Sequence, residues 1–188
     1  MNKMKHRFTF FIVLTFFAFY SKGQHSIISI ETGYSFAKSE YANERLGGFK
    51  INGFYEYKLS DSKFSHGILI GYALLNGTTN QWGINQEIHA RTVPILYQLN
   101  SVFGKKKLNL TLKEMLGIQS SRFYKNGYQS YDKSSIGIAF GVDLGLRYNL
   151  SESLFIACNY DFLKMSKQDV YYSNGILQSV KVGIGIQL

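Results

Sequence analysis

"IGIAFGVDLGLRYNL", residues 136–150, decides how the chain is read. Its even positions are bulky and apolar: Ile136, Ile138, Phe140, Val142, Leu144, Leu146, Tyr148 and Leu150. Its odd positions are small or polar: Gly137, Ala139, Gly141, Asp143, Gly145, Arg147 and Asn149. A period of two sustained over this length is a β-strand with two unlike faces. It also exceeds the usual strand of about 5–6 residues.

The same alternation recurs at 26–36, 48–59, 64–75, 89–100, 107–118, 154–163 and 178–188, which makes eight strands in all. Connections between them alternate in length. Residues 37–47, 76–88, 119–134 and 164–177 read as long polar loops, whereas 60–63, 101–106 and 151–153 are short. Strands running up and down would gather the long loops at one end and the short turns at the other. Outer-membrane barrels show that asymmetry, with the short turns periplasmic.

Alternation does not say which face is outside, because a soluble lipocalin-type barrel buries its apolar face. Volume separates the two. The apolar parity carries about forty large side chains, more than an eight-stranded barrel encloses. The other parity is rich in small residues, among them Gly33, Gly67, Gly71, Ala73, Gly117, Gly183 and Gly185, as a crowded concave side requires. Aromatic residues on the apolar face also sort by height. Tyr34, Phe36, Phe49, Tyr72, Tyr160 and Phe162 fall near the long-loop end, and Tyr57, Phe64, Tyr97 and Tyr148 near the short-turn end. Aliphatic residues such as Ile30, Ile70, Ile95, Leu144 and Val182 lie between. Two aromatic girdles about an aliphatic band are the pattern of a barrel in lipid. The chain therefore reads as all-β, an eight-stranded antiparallel up-and-down transmembrane barrel, closed because no open edge survives in hydrocarbon.

The inward parity holds Glu31, Lys50, Glu56, Lys58, Lys113, Asp143, Arg147, Asp161 and Lys181, five bases against four acids. Buried charges are costly unless paired. They read as a hydrogen-bonded ion network filling the lumen; the sharper alternative is an ion-selective pore. Phe54, Leu69 and Phe155 share the parity and would obstruct a channel that eight strands already make narrow. Glu114 interrupts the outward parity of its strand, for which a bulge or an early exit from lipid would account.

The first residues have another purpose. Lys3, Lys5 and Arg7 precede the thirteen-residue apolar run "FTFFIVLTFFAFY" (8–20), and Ser21 and Gly23 supply small residues before a cut. Residues 1–23 read as a cleaved signal peptide, since thirteen apolar residues fall short of the roughly 20 a spanning helix needs. Residues 24–188 form the barrel domain, with both termini periplasmic. Losing Lys3, Lys5, Arg7 and Lys22 lowers the net charge from +9 to +5, which leaves no nucleic-acid signal. Cys158 is the single cysteine, so no internal disulfide forms.

Some small outer-membrane barrels modify lipid A, which makes catalytic groups worth weighing. His66 faces outward, His89 begins a strand, and Ser65 beside His66 points to the opposite face; no triad assembles from them. No spacing suggests a metal site, and no cofactor is expected. The remaining candidates lie in the long loops: Tyr41, Trp82, Phe123, Tyr124, Tyr128, Tyr131, Tyr171 and Tyr172, beside Arg45, Arg122, Lys125, Lys133 and Lys167. Such residues favour recognition; they also pack loops together or meet anionic headgroups.

The chain resembles the small outer-membrane β-barrel family of Gram-negative bacteria, which includes porin-family and PorT-like, type IX secretion-associated proteins. "RTVPILYQL" (91–99), "GVDLGLRYNLSESLFIACNYDF" (141–162) and the closing "VKVGIGIQL" carry the resemblance, with Pro94 at an inward-facing proline position. Leu188 stands where many such barrels end in an aromatic, and Gln98 where a basic residue is usual. The resemblance implies residence in the outer membrane of the cell envelope. The resulting expectation is an integral barrel with a plugged polar lumen, structural or acting through its outer loops on envelope or secretion proteins, with outer-membrane lipid as its surroundings. A lipid-modifying enzyme and a soluble secreted ligand-binding barrel are the alternatives; the oligomeric state is left open.

Overall fold

A computed structural model describes residues 24–39, 45–59, 62–81, 84–104, 107–126, 131–165 and 172–188. Residues 1–23, where the leader is expected, lie outside the described residues. The strands are β1 (Gln24–Ser39), β2 (Arg45–Leu59), β3 (Phe64–Gln81), β4 (Ile84–Phe103), β5 (Leu108–Asn126), β6 (Tyr131–Asn149), β7 (Leu154–Met165) and β8 (Tyr172–Gln187). Each pairs antiparallel with its neighbours in sequence, and β1 pairs with β8 to close the barrel. At the seam, Ile30 stands opposite Ile184 and Glu31 opposite Gly183. Closure pairs every strand on both sides, which an open sheet of this composition could not do.

The short-turn rim is tied by backbone hydrogen bonds. Ser26 and Leu188 exchange two of them, at 3.2 and 2.7 Å, so both ends of the described barrel meet at this rim. Ser151 Oγ accepts from the amides of Ser153 and Leu154, holding the β6–β7 turn. Gly104, after β4, has φ of 137°, a left-handed conformation that disfavours a side chain.

One sequence expectation needs correction. The stretches 37–47, 76–88, 119–134 and 164–177 are largely strand, since β3 runs to Gln81, β4 starts at Ile84 and β5 runs to Asn126. Alternation continues there with its chemistry exchanged. Below, the outer wall is apolar, as at Ile95, Ile118 and Ile138, and the inside is polar. Above Leu74, Val93, Ile118 and Ile136, outward positions become Asn76, Arg91, Ser120 and Ser134. Inward positions there become Leu46, Leu75, Ile88, Ala90, Phe123 and Leu177, which form a buried apolar cluster. A polar outer face looks like a loop to a search for apolar stripes, which explains the error.

A second correction concerns Glu114. The β4–β5 and β5–β6 ladders run through it without a register shift, opposite Leu99 and Val142. It stands outward on the apolar wall with no bulge. Pro94 does leave a mark: the β3–β4 ladder pairs Ile70 with Ile95 and Ala73 with Thr92 but is interrupted between them. Proline has no amide hydrogen to contribute to a ladder.

Candidate functional site

The alternation sends six ionisable side chains to the barrel axis, where they meet across adjacent and non-adjacent strands. Lys181 of β8 lies 2.6 Å from Asp143 of β6, 2.8 Å from Glu31 of β1 and 3.0 Å from Asp161 of β7. Lys50 of β2 reaches Asp161 at 2.6 Å and donates to Ser179 at 3.2 Å. Lys113 of β5 pairs with Glu31 at 2.7 Å, and Asn159 donates to the same carboxylate at 2.6 Å. Three lysines thus face three carboxylates, and every one of the six is buried. Excellent geometry is what such a cluster requires to offset desolvation.

Phe54 floors the cluster, with Lys113 Nζ 4.0 Å from its ring centre. Phe54, Leu69 and Phe155 all point inward and are buried. Space is so short that a Cβ at Gly183 would stand 2.6 Å from the Glu31 side chain.

The other three inward charges lie apart, toward the short-turn rim. Glu56 accepts hydrogen bonds from Ser65, Gln98 and Asn100 at 2.7, 2.8 and 2.9 Å. Arg147 donates Nε to Asn149 at 3.0 Å and lies 3.7 Å over the Phe155 ring. Lys58 and Arg147 line a cavity of about 200 Å³ at this mouth, together with Lys63, Ser65 and Asn109. Sequence parity put Lys58 and Arg147 in the lumen but could not separate them from the axial cluster.

A third constellation lies on the outer wall above the apolar band. His89 and Arg91 of β4, Arg122 and Tyr124 of β5 and Asp132 of β6 line a cavity of about 370 Å³. Arg122 grips Asp132 with two hydrogen bonds, 3.0 and 2.6 Å. These hold the Asp132 carboxyl below its ordinary value, and Arg122 is raised by the same bonds. His89 stacks on Tyr124 and is hydrogen-bonded to Asn76 at 2.7 Å. Sequence reasoning named Arg122 and Tyr124 as loop residues and left Arg91 out. The signal was present, because His89, Arg91, Arg122 and Tyr124 share the outward parity of two paired strands.

Of the other loop candidates, Phe123 points into the barrel and is 1% exposed, so it packs the apolar cluster and recognises nothing outside. Tyr41, Trp82, Tyr128, Tyr171 and Lys167 lie outside the described residues, as do the side chains of Arg45, Tyr131 and Tyr172. Lys125 and Lys133 stand opposite Tyr131 and Phe123 in the ladders.

Among the interface aromatics, Tyr34 stands opposite Phe49 on one side and Val180 on the other, toward the long-loop end. Phe36, Tyr72, Tyr160 and Phe162 lie on the same outer wall. Phe64, Tyr97 and Tyr148 are on the wall toward the short-turn end. Tyr57 differs: its ring meets His66 edge-on and it is only 9% exposed. His66, between Tyr57 and Tyr97, faces out while Ser65 faces Glu56. Among the described residues no group of three His, Cys, Asp or Glu side chains could hold a metal ion.

No protein-family model and no curated protein sequence matches the chain. Solved structures do match. Neisserial surface protein A superposes with a TM-score of 0.63 at 14% identity, over 86% of this chain and 96% of that one. The chain shares the fold of small outer-membrane barrels. A major outer membrane protein from Thermus thermophilus gives 0.62 at 9% identity, covering 87% and 99%. Ail, the attachment invasion locus protein of Yersinia pestis, gives 0.56 at 19% identity, covering 89% and 100%. At such identities the likeness is one of architecture, and what the barrel does must be argued from its own side chains.

Proposed function

We propose that this chain is an integral outer-membrane barrel with a plugged lumen, structural in part and acting on its surroundings through the long-loop end. The observation that carries the reading is the exchange of chemistry along one continuous wall. Ile136 is 71% exposed and begins an apolar outer face that continues down β6 to Tyr148, whereas Ser134 and Asp132 just above it are polar. In water that band would be a large aggregation-prone patch; in hydrocarbon it is the required surface. An integral barrel will need detergent for extraction and migrate differently on a gel before and after heating. Release of the folded protein in detergent-free buffer would sink the reading in favour of a soluble barrel.

The leader and orientation belong to the same proposal. The exported protein is expected to begin at Gln24, which N-terminal sequencing checks. On a Cys158→Ser background, Gln129→Cys should react with an impermeant thiol reagent on intact cells and Glu152→Cys should not. The ion cluster and apolar plug support a closed lumen, so planar-bilayer recordings should give no steady current. A lipid-modifying role predicts altered lipid A in a deletion strain; an unchanged mass spectrum removes it. A PorT-like secretion-accessory role would appear as secretion components in crosslinks from intact cells.

A second reading is favoured by the outer-wall cavity around Arg91 and Arg122. Ail, 18% identical, was solved with the heparin analogue sucrose octasulfate. A basic and aromatic wall at the membrane boundary suits a sulfated or phosphorylated glycan. Retention on a heparin column, reduced in Arg91→Gln, tests it.

A further inference from the structure

The interior charges do not cancel uniformly along the barrel. The axial cluster is neutral, with Lys50, Lys113 and Lys181 facing Glu31, Asp143 and Asp161. Toward the short-turn mouth, Glu56 is the one inward carboxylate among the described residues to stand against Lys58 and Arg147, and Lys63 adds a further cation at the rim. Glu56 is turned to three neutral donors, Ser65, Gln98 and Asn100. The charged side chains in the described lining of the mouth are therefore all positive. Among the described residues no carboxylate stands within ion-pair distance of Arg147, although the Glu56 charge reaches it; it is held by Asn149, by a longer 3.5 Å bond to Gln187 and by the Phe155 face. Neutral acceptors on one edge and a ring beneath fix the guanidinium plane. Its Nη1 has no hydrogen-bond partner among the described residues. A partly buried cation held rigid in this way is half of an ion pair.

We propose that this mouth is a binding site for a phosphoryl group, gripped by Arg147, Lys58 and Lys63. The cavity they line is about 200 Å³ and carries no carboxylate among its described walls. Asp61, between the two lysines in sequence, lies outside the described residues. That volume is below the roughly 300–1,000 Å³ of sites that enclose a drug-sized ligand, so it accepts one compact anionic group. Three cations match a phosphate dianion better than a singly charged carboxylate, and the guanidinium fork suits its oxygens. The group could arrive as free phosphate or at the end of a phosphomonoester lipid headgroup from the leaflet at the short-turn side. The inference needs the barrel fold and its inward parity; it is independent of which glycan, if any, the outer wall meets.

The test uses the full mature chain, folded in a non-ionic detergent and checked by heat-dependent gel mobility. Inorganic phosphate is titrated in chloride buffer by calorimetry and by phosphorus NMR. In a second arm, phosphatidylcholine vesicles with and without phosphatidic acid replace it. Saturable binding in either arm is expected, and the arm that responds names the source. Arg147→Gln should weaken it about tenfold or more, with Arg147→Lys recovering only part. Lys63→Gln, on the exposed turn, should weaken binding without touching the fold and carries the test if Arg147→Gln fails to fold. Lys164→Gln, on the far outer wall, should change nothing. Absence of saturable binding in both arms, equal competition by acetate, or unchanged affinity in Lys63→Gln and Arg147→Gln would overturn the proposal.

Discussion

Lys181 on β8 and Asp143 on β6 stand 2.6 Å apart with the whole of β7 between their strands. Two strand spacings of about 4.8 Å separate β6 from β8, and the lysine arm spans them over the inner face of β7. Lys113 on β5 and Glu31 on β1, on opposite sides of the ring, are the pair that crosses the axis. The Lys181 ammonium also meets Glu31 and Asp161, which makes Lys181 the hub of the interior.

Replacing the hub should therefore be severe. Lys181→Met leaves three carboxylates facing Lys50 and Lys113, and the expected loss is about 3–5 kcal/mol. Lys50→Met, which strips an ion pair from Asp161 alone, should cost less. Urea unfolding of the barrel in vesicles checks the order; equal or negligible losses would contradict the hub.

Gly183 is a steric requirement. A Cβ there would press on the Glu31 arm, so Gly183→Val is expected to destabilise by about 1–3 kcal/mol. Gly53 on the outer face meets only the Ile70 carbonyl, at 3.9 Å, and Gly53→Ala should be neutral or slightly stabilising. The same unfolding assay compares them.

Glu114 faces outward between Leu99 and Val142. Carboxylates on a lipid-facing wall are unfavourable, though less so than lysine or arginine. Glu114→Leu should raise stability by about 1–2 kcal/mol in a bilayer. A decrease would mean that the carboxylate has a partner in the membrane.

Asp132 lies above the apolar band, and its hydrogen bonds to Arg122 lower its titration below the ordinary aspartate value. A depressed carboxyl favours the folded pair above its unfolded value and loses that contribution as pH falls through the lowered one. NMR titration should show Asp132 ionising abnormally low, and Arg122→Gln should return it to the ordinary range. An unshifted Asp132 in the parent protein would refute the pairing.

Much of the fold was legible because strand parity is a local property. Once Ile136 to Leu150 alternates, Asp143 and Arg147 must share a face opposite Val142 and Leu144. The upper strands escaped because the outer wall there changes from Ile118 to Ser120 and Arg122, while the inner wall changes to Phe123. A loop and a solvent-facing strand with an apolar back differ only in that second parity. Leu75, Ile88, Ala90 and Phe123 carried the signal.

By itself, then, the sequence determined the period, the number of strands and the face on which each side chain lies, since these follow from backbone geometry and residue chemistry along one segment. Only the tertiary structure decided which cation meets which carboxylate. Lys181 reaches Asp143, Glu31 and Asp161, while Arg147 and Lys58 are left at the mouth with no direct ion pair among the described residues. Those partnerships depend on how eight strands are staggered around a closed ring, and alternation within a strand does not encode its height relative to a strand across the axis.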